Sequence, residues 1–119
     1  MKVALLGASD KPDRFAYKAF KKLQASGHQV FLVHPKLTSI EGTPVWAGLA
    51  SLPEKPDTVT LYISEAVSTP LAQAILSSGA RRVIFNPGTE NPELEAVLKN
   101  AGIKIVHDCT LMMLDGSRF

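Results

Sequence analysis

Four consecutive apolar residues, Val3-Ala4-Leu5-Leu6, predict a strand covered on both faces, and the Gly7-Ala8-Ser9 turn after it leads straight into a helical pattern. In that helix Ala16, Ala19, Phe20 and Leu23 recur at i, i+3, i+4 and i+7, Lys18, Lys21 and Lys22 take the other face, and Gly27 is placed to end it. Residues His28 to Val33 read as a second strand that stops at His34-Pro35-Lys36. From Leu37 to Pro53 the chain reads as an elaborated crossover, broken by Gly42, Pro44, Gly48 and Pro53, with one or two helical turns between Trp46 and Leu52. Thr58 to Ile63 alternates apolar with polar and predicts a third strand, less buried than the first two. Ser68 is placed to cap a helix whose face carries Leu71, Ala74, Ile75 and Ser78 and which closes at Gly79. Arg82 to Phe85 supplies a fourth strand. Asn91-Pro92-Glu93 opens a helix striped by Leu94, Val97, Leu98 and Ala101, Ile103 to Val106 gives a fifth strand, and Cys109 to Leu114 a short terminal helix.

Strands alternating with helices predict an α/β, Rossmann-like three-layer α/β/α fold over residues 1–119 as a single domain. The expected sheet is parallel and five-stranded, in the order 3-2-1-4-5. A ligand then belongs over the C-terminal ends of strands one, two and four. There Gly7 to Arg14, His34 to Lys36 and Asn86 to Thr89 are expected to meet.

Composition narrows the function more than the fold. A net charge of +2, with cations scattered and no aromatic platform among them, argues against nucleic acid as a partner. No apolar run reaches membrane-spanning length and no secretory leader pattern opens the chain, so the expected setting is the cytoplasm, away from membranes. One cysteine, Cys109, offers neither an internal disulfide nor metal-site spacing. The lysines at 18, 21 and 22 read as a solvated helix face.

Chemistry concentrates at the first turn. Unpaired N–H groups and the dipole at a helix start suit an anion, Gly7 permits a sharp turn, Ser9 adds a hydroxyl, and Lys11 and Arg14 add charge. The dinucleotide fingerprint G-x-G-x-x-G is incomplete, because Ser9 and Pro12 hold the places of its later glycines. An NAD site ends its second strand in an acid that accepts a ribose hydroxyl. Lys36 stands near that place and would attract an extra ribose phosphate, pointing to NADP or coenzyme A; alternatively it is an ordinary exposed lysine.

These segments together carry a resemblance. Val3 to Ser9 with Pro12 and Arg14, then Val33-His34-Pro35-Lys36, Ile40-Glu41-Gly42, Leu52-Pro53, Pro56-Asp57, Asn86-Pro87-Gly88-Thr89 and Asp108-Cys109-Thr110, resemble the small single-domain CoA-binding proteins, over nearly the whole chain and in order. That family is similar to the N-terminal domain of the succinyl-CoA synthetase alpha subunit. The resemblance implies coenzyme A, or an acyl-CoA, as ligand, with Gly7, Ala8, Ser9 and Arg14 on the phosphates and Lys36 near the phosphorylated ribose. His34 stands where the family more often has Asn or Ser; with Pro35, Asn86 and Gly88 it completes the expected cofactor-binding set. The synthetases carry their phosphorylated histidine in a second domain, so their reaction is not carried over.

The remaining candidates have plain structural readings beside the chemical ones. His28, His34 and His107 show no catalytic spacing, and only His34 is expected at the ligand. Cys109 reads as a buried thiol or as one able to pair with the thiol of CoA. Asp108 reads as a cap of the last helix or as a group orienting a partner near the site, Gly88 either as a turn residue or as a point of close approach, and Leu111 to Leu114 as core or as a surface for self-association or a protein partner. The leading expectation is a non-catalytic module binding a small nucleotide ligand. The alternatives are an NADP-dependent oxidoreductase and a nucleotide-sensing regulatory protein.

Overall fold

The structure is a computed structural model that describes residues 1–119. Seven strands form one sheet: β1 (Lys2–Leu6), β2 (Gln29–Val33), β3 (Ser39–Ile40), β4 (Thr43–Trp46), β5 (Thr58–Leu61), β6 (Arg82–Phe85) and β7 (Lys104–His107), in the order β3-β4-β2-β1-β5-β6-β7. All neighbours are parallel except the β3–β4 pair at the edge. Helices α1 (Phe15–Ala25), α2 (Glu65–Ser68), α3 (Ala72–Ser77), α4 (Pro92–Asn100) and α5 (Thr110–Asp115) cover the faces, with a 3-10 turn over Thr69–Leu71 joining α2 to α3.

The α/β, Rossmann-like class stands; the five strands and their stated order do not. The segment expected to be a crossover contains a hairpin, folded by the two-residue turn Glu41-Gly42 with φ of 49° and 80°. That hairpin sets β4 against β2, with Leu32 opposite Val45 and Val33 opposite Trp46. The place beside β2 is therefore taken before Thr58 is reached, and the strand expected there pairs instead with the other side of β1. Counted this way, the parallel strands run 3-2-1-4-5-6, and the neighbours of β1 are β2 and β5. Asn86 to Thr89, after β6, lies one strand further out than expected.

Alternation along β1 builds both cores. Val3 and Leu5 pack with Ala16, Ala19, Phe20 and Leu23 of α1, while Ala4 and Leu6 join Val59, Leu61, Ile75, Val83, Phe85, Leu94 and Leu98 on the opposite face. The helical stripe expected for α1 is the one that is buried. Its end follows the expected pattern: Gly27 adopts φ +87° and its N–H donates to the Gln24 carbonyl at 3.0 Å. Asn91 caps α4, its Oδ1 accepting from the Leu94 N–H at 3.1 Å.

Two local expectations fail. β5 is buried throughout, its threonines included, and both hydroxyls find partners: Thr60 Oγ1 and Thr110 Oγ1 of α5 are 2.8 Å apart, and Thr58 Oγ1 accepts from Arg82 Nε of β6 at 3.1 Å. Ser68 makes no capping bond, since the helical turns begin at Ser64; its buried hydroxyl donates to the Glu65 carbonyl and accepts from Asn91 Nδ2 at 2.9 Å. The Leu111 to Leu114 segment packs mainly as core, with Met113 buried and Leu111 and Leu114 against the α1 face, and Met112 left exposed. No helix is long and apolar enough to cross a membrane.

The end of β1 is where the sheet is tightest. Gly7 adopts φ +89°, and a Cβ built on it would lie 2.5 Å from the Tyr62 carbonyl oxygen that follows β5. Gly7→Ala combines a left-handed strain with a backbone clash, so it is expected to cost at least about 2 kcal/mol of stability in urea denaturation; an unchanged midpoint would contradict this reading. The Tyr62 hydroxyl is shut from solvent: Thr110 lies near it, but the Thr110 hydroxyl is already bonded to Thr60, and no hydrogen bond of acceptable geometry reaches the phenol. Burial pushes this phenol up to about 12, so the folded state keeps it neutral while the unfolded state ionises above its usual value of 10. Its contribution to stability is complete below pH 10 and is lost as pH rises toward 12. Tyr62→Phe is expected to be as stable as the wild type at pH 8 and to remove one proton's worth of alkaline destabilisation, about 1.4 kcal/mol per pH unit in that window, in paired thermal melts.

Candidate functional site

A cleft of about 860 Å³ opens at the C-terminal edge of β1, β2 and β5. Its base is the first turn and the start of α1, one wall is the end of β2, and the other is built from Ala47 to Ala50, Tyr62, Ile63, Val67, Leu71 and Ala74. This is the position at which strand order reverses in a doubly wound sheet, where neighbouring loops part and leave a crevice.

The first turn is held in an unexpected way. The N–H groups of Gly7 and Ala8 both donate to the Val33 carbonyl, at 3.1 and 3.2 Å, so neither is free for a ligand. Gly7 serves the close approach to Tyr62, and Ala8 is buried in the α1 core. Free anion-binding capacity begins further on. Ser9 Oγ accepts from the Lys11 N–H at 3.1 Å, folding the loop over itself, and α1 then starts without a side-chain cap and without an acid in its first turn. The first residues of that helix, Phe15 and Ala16, line the cleft together with Arg14 and Lys11, and the opening N–H groups of a helix have no intrahelical partner.

Lys2, Lys21, Lys22, Arg81 and Arg118 are each paired with a carboxylate; Lys11, Arg14 and Lys36 have no acidic partner in the chain, as is also true of Lys18, Lys55, Arg82, Lys99 and Lys104 away from the cleft. Asp10 is the one acid lining the cleft. The opposite wall is apolar, and Phe15 and Val67 stand exposed at its mouth.

Of the residues expected at the site, Gly7, Ala8, Ser9, Arg14, His34 and Pro35 line this cleft, and Lys36 is exposed on the loop beside it. Asn86 and Gly88 are elsewhere. Asn86 is 1 % exposed and ties β5 and α5 to β6: its Nδ2 donates to Thr60 Oγ1 and the Leu61 carbonyl at 2.7 and 2.8 Å, and its Oδ1 accepts from the Thr110 N–H at 2.8 Å. Gly88 has φ +89° with open space where a Cβ would be, and its N–H donates to the Glu90 carboxylate. Its glycine serves the turn. Cys109 is half-buried at the start of α5 and outside the cleft lining, and Asp108 accepts from its N–H at 2.7 Å. His28 sits beside the N-terminal amine and Phe119, and His107 bonds Glu95 at 2.6 Å; neither lines the cleft.

The apolar wall lies outside the sequence-based expectation. It follows β4 and β5, and the hairpin that fixes both their positions falls in the segment expected to be an elaborated crossover. The signal was present in Ile40-Glu41-Gly42-Thr43, a two-residue turn with glycine second between residues able to pair.

Comparison with known proteins agrees with this geometry. A crystal structure of an uncharacterized protein superposes with a TM-score of 0.92 at 41% identity, covering 99% of this chain and 97% of the other. A hypothetical protein from Pyrococcus horikoshii OT3 is 29% identical, with a TM-score of 0.90 over 97% of this chain and 81% of its own. The Bacillus subtilis (strain 168) protein YneT is 24% identical over 107 residues, 90% of this chain and 79% of that protein. The pattern described as "CoA binding domain" matches residues 1–115, and the chain therefore belongs to that family of CoA-binding domains.

Proposed function

We propose that this chain binds coenzyme A or an acyl-CoA in the cleft above β1, β2 and β5, and that it does so as a binding module without catalysis of its own. The observation that carries the proposal is the division of one cleft into two chemistries: uncompensated cations and an uncapped helix start at one end, an apolar wall at the other. Coenzyme A is divided the same way, with phosphates in its nucleotide half and a long, weakly polar pantetheine arm. In this reading the pyrophosphate lies against Ser9, Arg14 and the first turn of α1, because charge-assisted bonds from a guanidinium and from helix N–H groups complement it. Gly7 and Ala8 act indirectly, by holding that turn in place. The arm runs over Ile63, Val67 and Leu71, and Lys36 faces the phosphorylated ribose from the β2 side.

Calorimetric titration of the nucleotide-free protein with CoA, dephospho-CoA, NADP and NAD tests this. CoA is expected to bind more tightly than dephospho-CoA; a preference for NADP would move the chain to an oxidoreductase reading, and binding of none of the four would remove the proposal. Lys36→Ala is expected to weaken CoA about tenfold and leave dephospho-CoA nearly unchanged, since only CoA carries the ribose phosphate. Equal losses would take Lys36 off that phosphate. Arg14→Ala is expected to weaken both ligands together by ten- to a hundredfold, and unchanged affinity for either would take Arg14 off the pyrophosphate.

A further inference from the structure

His34 is the first residue after β2, and its ring has two nitrogens in different situations. Nδ1 accepts hydrogen bonds from the backbone N–H groups of Lys36 and Leu37, at 3.0 and 3.1 Å. A backbone N–H can only donate, so Nδ1 must carry its lone pair, and the ring proton of the neutral imidazole is on Nε2. The side chain thus closes the turn as an Asn or Ser oxygen would, by accepting from residues two and three further on. A Ser has no polar atom beyond the hydroxyl and an Asn amide nitrogen ends one bond short, whereas the ring carries a second nitrogen further out. Nε2 has no partner in the chain, is not closed off from solvent, and belongs to a residue that lines the cleft.

The orientation gives that atom a definite chemical preference. With Nδ1 fixed inward by two bonds, Nε2–H is a donor only and cannot exchange roles by changing tautomer without breaking the turn. An NAD-type site places an acceptor at this strand end to take a ribose hydroxyl hydrogen. His34 places a donor there, beside the cation Lys36, and the complement of a donor next to a cation is a group rich in acceptors.

We propose that His34 is a specificity-determining residue whose Nε2–H donates to an oxygen of the phosphate on the ligand's ribose, with the inward Nδ1 holding the ring in line for that bond. This rests on the reading of the cleft as a coenzyme A site. Lys36 supplies charge on a flexible stem, and His34 supplies direction from a ring whose orientation is set by the backbone.

His34→Asn separates the two roles, because the Asn Oδ1 can accept the same turn bonds while its amide nitrogen stops at the place of the ring's Cδ2, short of Nε2. The expected result by calorimetry is an unchanged melting temperature, CoA binding weakened about tenfold, and dephospho-CoA binding unchanged. His34→Ala loses the turn as well and is expected to weaken both ligands. If His34→Asn keeps the wild-type ratio of CoA to dephospho-CoA affinity, whether both are unaffected or both weakened equally, the phosphate contact is overturned. Should that variant fail to fold, long-range proton–nitrogen NMR of the wild type decides: a protonated Nε2 whose resonance shifts with CoA and not with dephospho-CoA supports the proposal, and a protonated Nδ1 or an unmoved Nε2 overturns it. Wild-type protein that binds neither ligand would instead remove the coenzyme A reading itself.

Discussion

The carbonyl of Val33 receives two N–H groups, from Gly7 and Ala8, and this shared acceptor fixes the junction on which the cleft depends. It ties the end of β1 to the end of β2 just beyond their last paired residues, Leu6 and Val33. On the other side the Tyr62 N–H donates to the Leu6 carbonyl at 2.8 Å, while the Tyr62 carbonyl lies where no side chain on Gly7 fits. Three strand ends are thereby drawn together within one turn of chain. The helix start that follows has little freedom left, and α1 leaves the sheet with its N-terminus over the crevice because the residues before it are already fixed.

That constraint separates structural from ligand-facing residues inside a short motif. Gly7 and Ala8 build the floor, whereas Ser9 to Arg14 rise above it with cations that no acid in the chain neutralises. In the glycine-rich fingerprint the later glycines let a pyrophosphate approach the backbone. Here Ser9 folds the loop through its bond to the Lys11 N–H, so the loop presents side chains where that fingerprint presents bare backbone. In the proposed coenzyme A reading, recognition falls to Arg14 and the helix N–H groups, and a phosphate site would then need none of those glycines.

Much of this was legible in the sequence where a residue's role was local. The α1 stripe, the Gly27 end and the Asn91 cap each depend on chemistry within a few positions, and each is found as the pattern predicts. The failures were non-local. A two-residue strand and a four-residue strand, Ser39–Ile40 and Thr43–Trp46, are too short to show periodicity, yet they decide on which side of β1 the next strand falls. That one displacement accounts for the strand order, for the missed wall at Ile63, Val67 and Leu71, and for Asn86, whose place near the ligand was inferred from the wrong neighbour. Thr58 and Thr60 misled in the same way, since alternation with threonine reads as a half-exposed strand unless distant residues, here Arg82 of β6 and Thr110 of α5, bring partners for the hydroxyls.

Asn86 and His34 show why residue type alone left the site open. Both are polar residues followed by proline at the end of a parallel strand, and both lie where a ligand contact is a reasonable expectation. Asn86 spends its amide on Thr60, Leu61 and Thr110 and so holds α5 onto the sheet. His34 needs only one of its two nitrogens for the turn that follows it. The difference lies in the number of polar atoms against the number of partners the fold supplies. An amide with every group engaged is a structural element, and a ring with one nitrogen unpartnered retains capacity for a ligand.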